Sequence, residues 1–233
     1  MSVISTAEPR TAVVAGASGL VGRELLRRLL REPTYARVVA LTRRPLGLDH
    51  RLVEVPARYN ALDEVLSPAV AGEESVDAYC CLGTTLGTAG SEAAFREVDF
   101  DFVVAFGRWA TRHPARRLVV ISALGADARS RVLYNRVKGE MEDALRAIAP
   151  TTLVLVRPSL IDGERAEIRR GESLALTFTR PLRGLLPASI RPVQVNDLAQ
   201  AMIDAALSAA APPVLRSAAL HGAAVNAYRA RRG

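Results

Sequence analysis

Three glycines, Gly16, Gly19 and Gly22, stand three residues apart between two runs of opposite character. Before them, Thr11 to Ala15 is a short apolar run with the length of a buried strand. After them, Leu20, Val21, Leu25, Leu26, Leu29 and Leu30 recur with a helical period. A strand, a glycine turn and a helix in this order make the opening of a βαβ unit. The glycines let the backbone turn sharply and approach a pyrophosphate, which then rests on the helix N-terminus. A tight packing turn fits the same three glycines.

The chain goes on as it begins. Apolar strand patterns fall at Ala36 to Leu41, at Leu52 to Val55, in "SVDAYCCLGTT", in "ARRLVVISALGAD" and in "TTLVLVRPSL". Helical patterns fall between them, at Ala61 to Leu66, Ser91 to Arg112 and Arg131 to Ala149. Alternating units with buried strands predict an α/β fold, a doubly wound parallel sheet of Rossmann-like form. Its core spans residues 10–160 of a single domain. Residues 161–233 make a small extension expected to pack on the sheet's C-terminal edge and wall a substrate cleft. Within it, "DGERAEIRRGES" reads as a loop or lid, "LALTFTRPLRGLLP" as a helix, and "RPVQVNDLAQAMIDAALSAA" as a short extended segment followed by a helix capped by Asn196 or Asp197.

Of 31 basic residues, 30 are arginine. The single lysine, Lys138, follows Tyr134 by four residues, so on a helix the two share a face. An ammonium is a compact point charge, unlike the forked guanidinium. Lys138 is placed to favour the charged form of the Tyr134 phenol, whose ordinary pKa is about 10. The plainer alternative is a solvated surface pair. Ser122 closes the fifth strand, where a hydroxyl would polarise a substrate carbonyl; a turn-capping serine fits there too.

At the end of the second strand, an acidic residue would bind the ribose hydroxyls of NAD. This chain has Arg43 and Arg44, which suit the 2′-phosphate of NADP. Gly83, Thr84 and Thr85 end the fourth strand in a small turn along which adenine and ribose would lie. Asp99 and Asp101 fall in the long helix, as surface or polar packing residues or as part of the site.

The net charge of +7 invites a nucleic-acid reading. The arginines are spread from Arg10 to Arg232 and aromatics are only 5%, which excludes stacking platforms. Cys80 and Cys81 are adjacent, in an apolar run, and read as reduced, buried residues of a cytoplasmic protein. Three scattered histidines give no metal-ligand spacing, and no apolar run reaches membrane-spanning length.

"GASGLVG", the YxxxK pair, "CCLGTT", "ISALGAD", "LYNRVKGEME" and "VRPSL" together resemble an atypical branch of the short-chain dehydrogenase/reductase superfamily, over about residues 10–210. The resemblance implies an NADP(H) site. Gly16, Gly19 and Gly22 would hold the pyrophosphate with Ser18, Leu20 and Val21 around them. Arg43 and Arg44 would take the 2′-phosphate, and Leu82, Gly83 and Thr84 the adenosine end. Lys138 would bind the nicotinamide ribose, and Arg157, Pro158 and Ser159 would border the nicotinamide. Tyr134, Lys138 and Ser122 would be the catalytic residues. Two departures stand out: Ala123 follows Ser122 where a second hydroxyl is usual, and Asp99 stands where an asparagine is usual.

The expected function is an NADPH-dependent oxidoreductase acting on a small carbonyl or alcohol substrate, as a monomer or homodimer. The alternative is an NADPH-binding sensor with little turnover. For a sugar-nucleotide epimerase the chain is short.

Overall fold

From Thr11 to Ala15 every residue of β1 (Arg10–Ala15) is buried. Side chains alternate across a strand, so Ala12 and Val14 enter one core layer while Val13 and Ala15 enter the other. A strand covered on both sides belongs in the middle of a parallel sheet. The computed structural model, which describes residues 9–113, 115–149, 153–162 and 187–222, puts it there. Seven parallel strands run in the order β3 (Leu52–Pro56), β2 (Tyr35–Thr42), β1, β4 (Val76–Cys80), β5 (Ala115–Ile121), β6 (Leu153–Arg157) and β9 (Val214–Arg216). The chain winds outward from β1 to β3, then returns to the other side of β1 with β4. This reversal is the switch point at which such sheets bind ligands.

Helix α1 (Leu20–Leu29) and helix α7 (Val195–Leu207) cover one face, with Leu25, Leu26 and Met202 fully buried. Helices α2 (Leu62–Leu66), α5 (Phe102–Arg112) and α6 (Leu133–Ile148) cover the other, through Leu66, Phe106, Trp109, Met141 and Leu145. At the base of the sheet, Tyr35 donates its hydroxyl to the buried Asp77 at 2.8 Å, and Arg10 reaches the same oxygen at 3.2 Å. That closes the starts of β1, β2 and β4 with paired polar groups.

Three expectations need correction. The last described part of the chain is not only an appendage on the sheet's C-terminal edge. Its α7 completes a core layer against α1, and β9 pairs with β6 through Leu155↔Val214 and Val156↔Leu215. Helix α7 starts after Gln194, with no side-chain cap from Asn196 or Asp197. The long helix at 91–112 is divided into α4 (Glu92–Arg96), a π-turn at Glu97–Asp101 and α5, preceded by a short α3 (Leu86–Ala89). The short extended segment expected before α7 forms β8 (Val193–Gln194), and it pairs with β7 (Ile161–Asp162) in a two-residue ladder that the sequence pattern did not indicate. The stretches expected as a lid and as a helix near Gly184 lie outside the described residues.

Helix α6 lies hard against the loop before it. A Cβ on Gly139 would come within 2.1 Å of the Ala128 nitrogen and 2.2 Å of the Asp127 carbonyl carbon. Backbone cannot move aside as a side-chain tip can. Gly139→Ala is therefore expected to cost about 1–3 kcal/mol, read as a lower urea midpoint with an unchanged m-value. An unshifted midpoint would mean the loop yields freely.

Candidate active site

The glycine turn forms as its spacing predicts. Gly16 has φ +75°, and a Cβ there would lie 2.6 Å from the Cys81 carbonyl carbon and 2.8 Å from the Leu82 nitrogen. Only glycine lets β1 end this close to the end of β4. A Cβ on Gly22 would meet the Gly16 oxygen at 2.2 Å, so Gly22 sets how near α1 approaches the turn. Gly19 is the N-cap of α1, with no side-chain cap and no acidic residue in the first turn. The amides at this end are open to an anion. Around them Ser18 is exposed, Leu20 is half-buried and Val21 is buried. The Ser18 carbonyl accepts from Arg23 Nε at 3.2 Å. This donor set fits a pyrophosphate.

Arg43 and Arg44 follow β2 as exposed residues, and neither has an ion-pair partner among the described residues. Thr42 Oγ1 donates to the Arg44 carbonyl at 2.6 Å and fixes the turn that presents them. Tyr59, which the sequence did not single out, stacks on Phe102 with ring centroids 4.7 Å apart. Burial pushes its phenol well above the ordinary range, against the charge of nearby Arg43 and a backbone hydrogen bond with Gly16. It is a neutral polar group under the glycine turn. No spacing or periodicity in "ARYN" marks it.

Across the switch point, Leu82 and Thr84 are half-buried and Gly83 is exposed. The Thr84 amide donates to Asp99 Oδ2 at 2.7 Å, and Asp99 Oδ1 lies 2.7 Å from the Lys138 ammonium. Asp99 is 0% exposed and Lys138 2%. Burial alone would pull Lys138 down. The charge of Asp99, then that of Tyr134, outweighs it and leaves the ammonium above its ordinary range. Tyr134 opens onto the surface at 39% exposure, its ring 5.7 Å from that of Phe95. The lone lysine is thus a buried ion-pair partner and not a solvated surface residue.

Ser122 and Arg157 are drawn elsewhere. Ser122 Oγ donates to Glu142 Oε1 at 2.5 Å, and Arg157 grips both oxygens of Glu142 from Nε at 2.8 Å and Nη2 at 2.5 Å. Arg146 adds a third contact at 2.7 Å. Glu142 is 0% exposed. Burial lifts its carboxyl, and the bonds from Arg157, Ser122 and Arg146 more than reverse this, leaving it below the usual glutamate range. The same contacts hold Arg157 above its own. Ser122 and Arg157, both expected at the site, are thus held as partners of a buried carboxylate. A hydroxyl donating to Glu142 is not turned to a substrate carbonyl, and Ala123 offers none. Glu142 itself was missed, although it follows Tyr134 and Lys138 at the same helical interval. Pro158 is buried, its carbonyl accepting from the Leu124 amide at 2.8 Å; Ser159 donates to the Arg191 carbonyl at 2.5 Å. Two hollows of about 300 and 340 Å³ open on the surface, and neither is lined by Gly16, Lys138 or Tyr134.

Burial pushes the Cys80 thiol up to about 12 and raises that of Cys81 as well, and both are free. Among the described residues no cluster of His, Cys, Asp and Glu has metal-holding form, and no helix is long and apolar enough to cross a membrane.

No family model matches the chain. It is 32% identical over 202 residues to the rat protein HTATIP2, covering 84% of this chain and 80% of that one. It is 31% identical over 202 residues to the mitochondrial protein FMP52 of Eremothecium gossypii, covering 84% and 88%. The chain belongs to the HTATIP2 and FMP52 family of atypical short-chain dehydrogenase/reductases. Solved structures share the fold at low identity. MoeE5 in complex with UDP-glucose and NAD aligns with a TM-score of 0.63 at 17% identity, over 88% of this chain and 74% of that one. A UDP-N-acetylglucosamine 4-epimerase from Methanobrevibacter ruminantium gives 0.66 at 13%, over 90% and 76%. Bordetella bronchiseptica WbmG in complex with NAD gives 0.65 at 13%, over 93% and 75%.

The family corrects the cytoplasmic assignment. The fungal FMP52 relatives, that of Candida albicans among them, are named mitochondrial, which speaks against it. Two free cysteines, Cys80 buried and Cys81 half-buried, suit any reducing compartment and do not distinguish the two.

Loss of the Glu142 charge gives a signed pH test. Its lowered carboxyl adds stability above the unfolded glutamate value of about 4.3, lost as pH falls through the folded value. Glu142→Gln leaves Arg157 unpaired and is expected to cost about 3–5 kcal/mol at pH 7. The gap to wild type should narrow by pH 3. Equal gaps in urea unfolding at both pH values would overturn this.

Proposed function

We propose that the chain is an NADPH-dependent oxidoreductase that reduces a carbonyl or runs the reverse oxidation, using Tyr134 and Lys138. The observation that carries this reading is the placement of an uncapped helix start, two unpaired arginines and a buried lysine beside an exposed tyrosine around one switch point. Gly16, Ser18, Gly19, Leu20, Val21 and Gly22 would hold the pyrophosphate. Arg43 and Arg44 would take the 2′-phosphate, with Leu82, Gly83 and Thr84 along the adenosine. Pro158 would border the nicotinamide ring. The NAD named with the solved neighbours supports a nicotinamide dinucleotide; the two arginines favour its 2′-phosphorylated form.

The bound cofactor would supply hydride chemistry. The chain's own part is proton transfer at the Tyr134 oxygen, with Lys138 one turn further along α6 and paired there with Asp99. Ser122 has no part in this step, because its hydroxyl serves Glu142.

That commitment favours a second reading, a nucleotide-binding sensor with little turnover, since no hydroxyl from β5 is left to polarise a carbonyl. The sugar-nucleotide epimerases among the structural neighbours are longer, and this chain spans about three-quarters of them.

A fluorescence titration with NADPH and NADH decides the cofactor. Arg43→Ala should weaken NADPH binding and leave NADH nearly unchanged, and Tyr134→Phe should alter neither. In a carbonyl screen, Tyr134→Phe should cut turnover by about 10²–10⁴. Failure of wild type to bind either nucleotide would overturn the reading. Binding of NADPH without turnover of any carbonyl would favour the sensor.

A further inference from the structure

A lysine below the active-site tyrosine acts through its positive charge, and here that charge is cancelled. The Lys138 ammonium sits 2.7 Å from Asp99 Oδ1, with both side chains out of solvent. Asp99 is not a loose partner. Its other oxygen accepts from the Thr84 amide, and its backbone lies in the π-turn Glu97–Asp101, a distortion found frequently at functional sites. The pair lies under Gly83, where a Cβ would come 3.4 Å from Asp99 Oδ1 and 3.8 Å from the ammonium.

We infer that Asp99 is a positioning residue which neutralises Lys138 and so keeps Tyr134 a protonated phenol, setting the site to give a proton and not to take one. The inference rests on the oxidoreductase reading and narrows it to the substrate class favoured at neutral pH, a carbonyl. The proton would pass from the Tyr134 oxygen to the carbonyl oxygen, which takes the C=O π pair as the carbonyl carbon accepts the hydride that a bound nicotinamide dinucleotide would supply, and water returns a proton to the phenolate. A bare ammonium would favour the phenolate, the form needed to take a proton from an alcohol. With an asparagine at position 99 the lysine charge would act in full. With aspartate the pair carries none.

Among the described residues, the other groups around the pair do not supply the missing charge. From β4, Cys80 stays a neutral thiol. From α4, Phe95 meets the Tyr134 ring and Glu92 lies 4.0 Å from Arg136, an ion pair of opposite signs. Lys138 keeps its proton because the charge and hydrogen bond of Asp99 oppose its burial, so the ion pair stays intact across the neutral range.

The test needs no nucleotide or substrate. Phenolate absorbance is followed from pH 7 to 12, and each protein is subtracted from its own Tyr134→Phe counterpart, which isolates Tyr134 from the other tyrosines. Asp99→Asn should move ionisation of Tyr134 at least about one pH unit lower, a tenfold shift. Adding Lys138→Met to Asp99→Asn should return it to the wild-type position. An Asp99→Asn curve that overlays wild type overturns the inference. If Asp99→Asn alone does not fold, the double variant still decides, because it too carries no net charge there: a curve a unit or more from wild type overturns the inference. Failure of the nucleotide reading shows separately, as absent binding in the titration of NADPH and NADH.

Discussion

Everything at the site depends on how closely β1 is allowed to end against β4. Gly16 lies against the Cys81 carbonyl with no room for a side chain, and the Cys81 amide donates to the Ala15 carbonyl at 2.9 Å. That contact sets the glycine turn beside Leu82, Gly83 and Thr84. From Thr84 one hydrogen bond reaches Asp99, and from Asp99 one ion pair reaches Lys138. The two halves of the proposed cofactor cleft are thus joined by a short chain of buried polar contacts. Each link is fully paired, as low-dielectric surroundings demand.

Helix α6 carries the second half of this arrangement. Tyr134, Lys138, Glu142 and Arg146 recur every four residues, so they form one stripe along the helix. The stripe runs from an exposed phenol through a buried cation to a buried anion. Lys138 is answered by the π-turn, and Glu142 by Ser122, Arg157 and Arg146. Two buried charges of opposite sign on one helix face would be costly unpaired. Pairing each with a different element ties α6 to β5, β6 and the turn before α5. The geometry of Tyr134 is therefore fixed by the same contacts that hold the sheet's second layer.

The fold was legible because its signals are local. Gly16, Gly19 and Gly22 need a strand before and a helix after, and the apolar period of each following segment named its own type. Strand β9 was not legible: Val214 to Arg216 is three residues long, and only pairing with β6 makes it a strand. At the site, Tyr134 and Lys138 could be read from spacing and from the absence of any other lysine. The fates of Ser122 and Arg157 could not, because they turn on Glu142, a residue whose burial appears only when three elements meet. Asp99 fell between these cases. Its position in a helix was plain, but the π-turn that aims it inward leaves no trace in the hydrophobic period.

The single lysine among thirty arginines follows from the shape of its partner. Asp99 Oδ2 already accepts from the Thr84 amide, so only Oδ1 is left for a side-chain cation. A guanidinium pairs best with both oxygens of a carboxylate and brings five donors in a fixed fork. Buried at position 138, an arginine would find one oxygen for those five donors and would press toward Gly83. An ammonium needs one strong partner and little space. Arginine can replace lysine wherever water or a free carboxylate completes its bonding; here the backbone of Thr84 has taken the second oxygen, and the substitution stops.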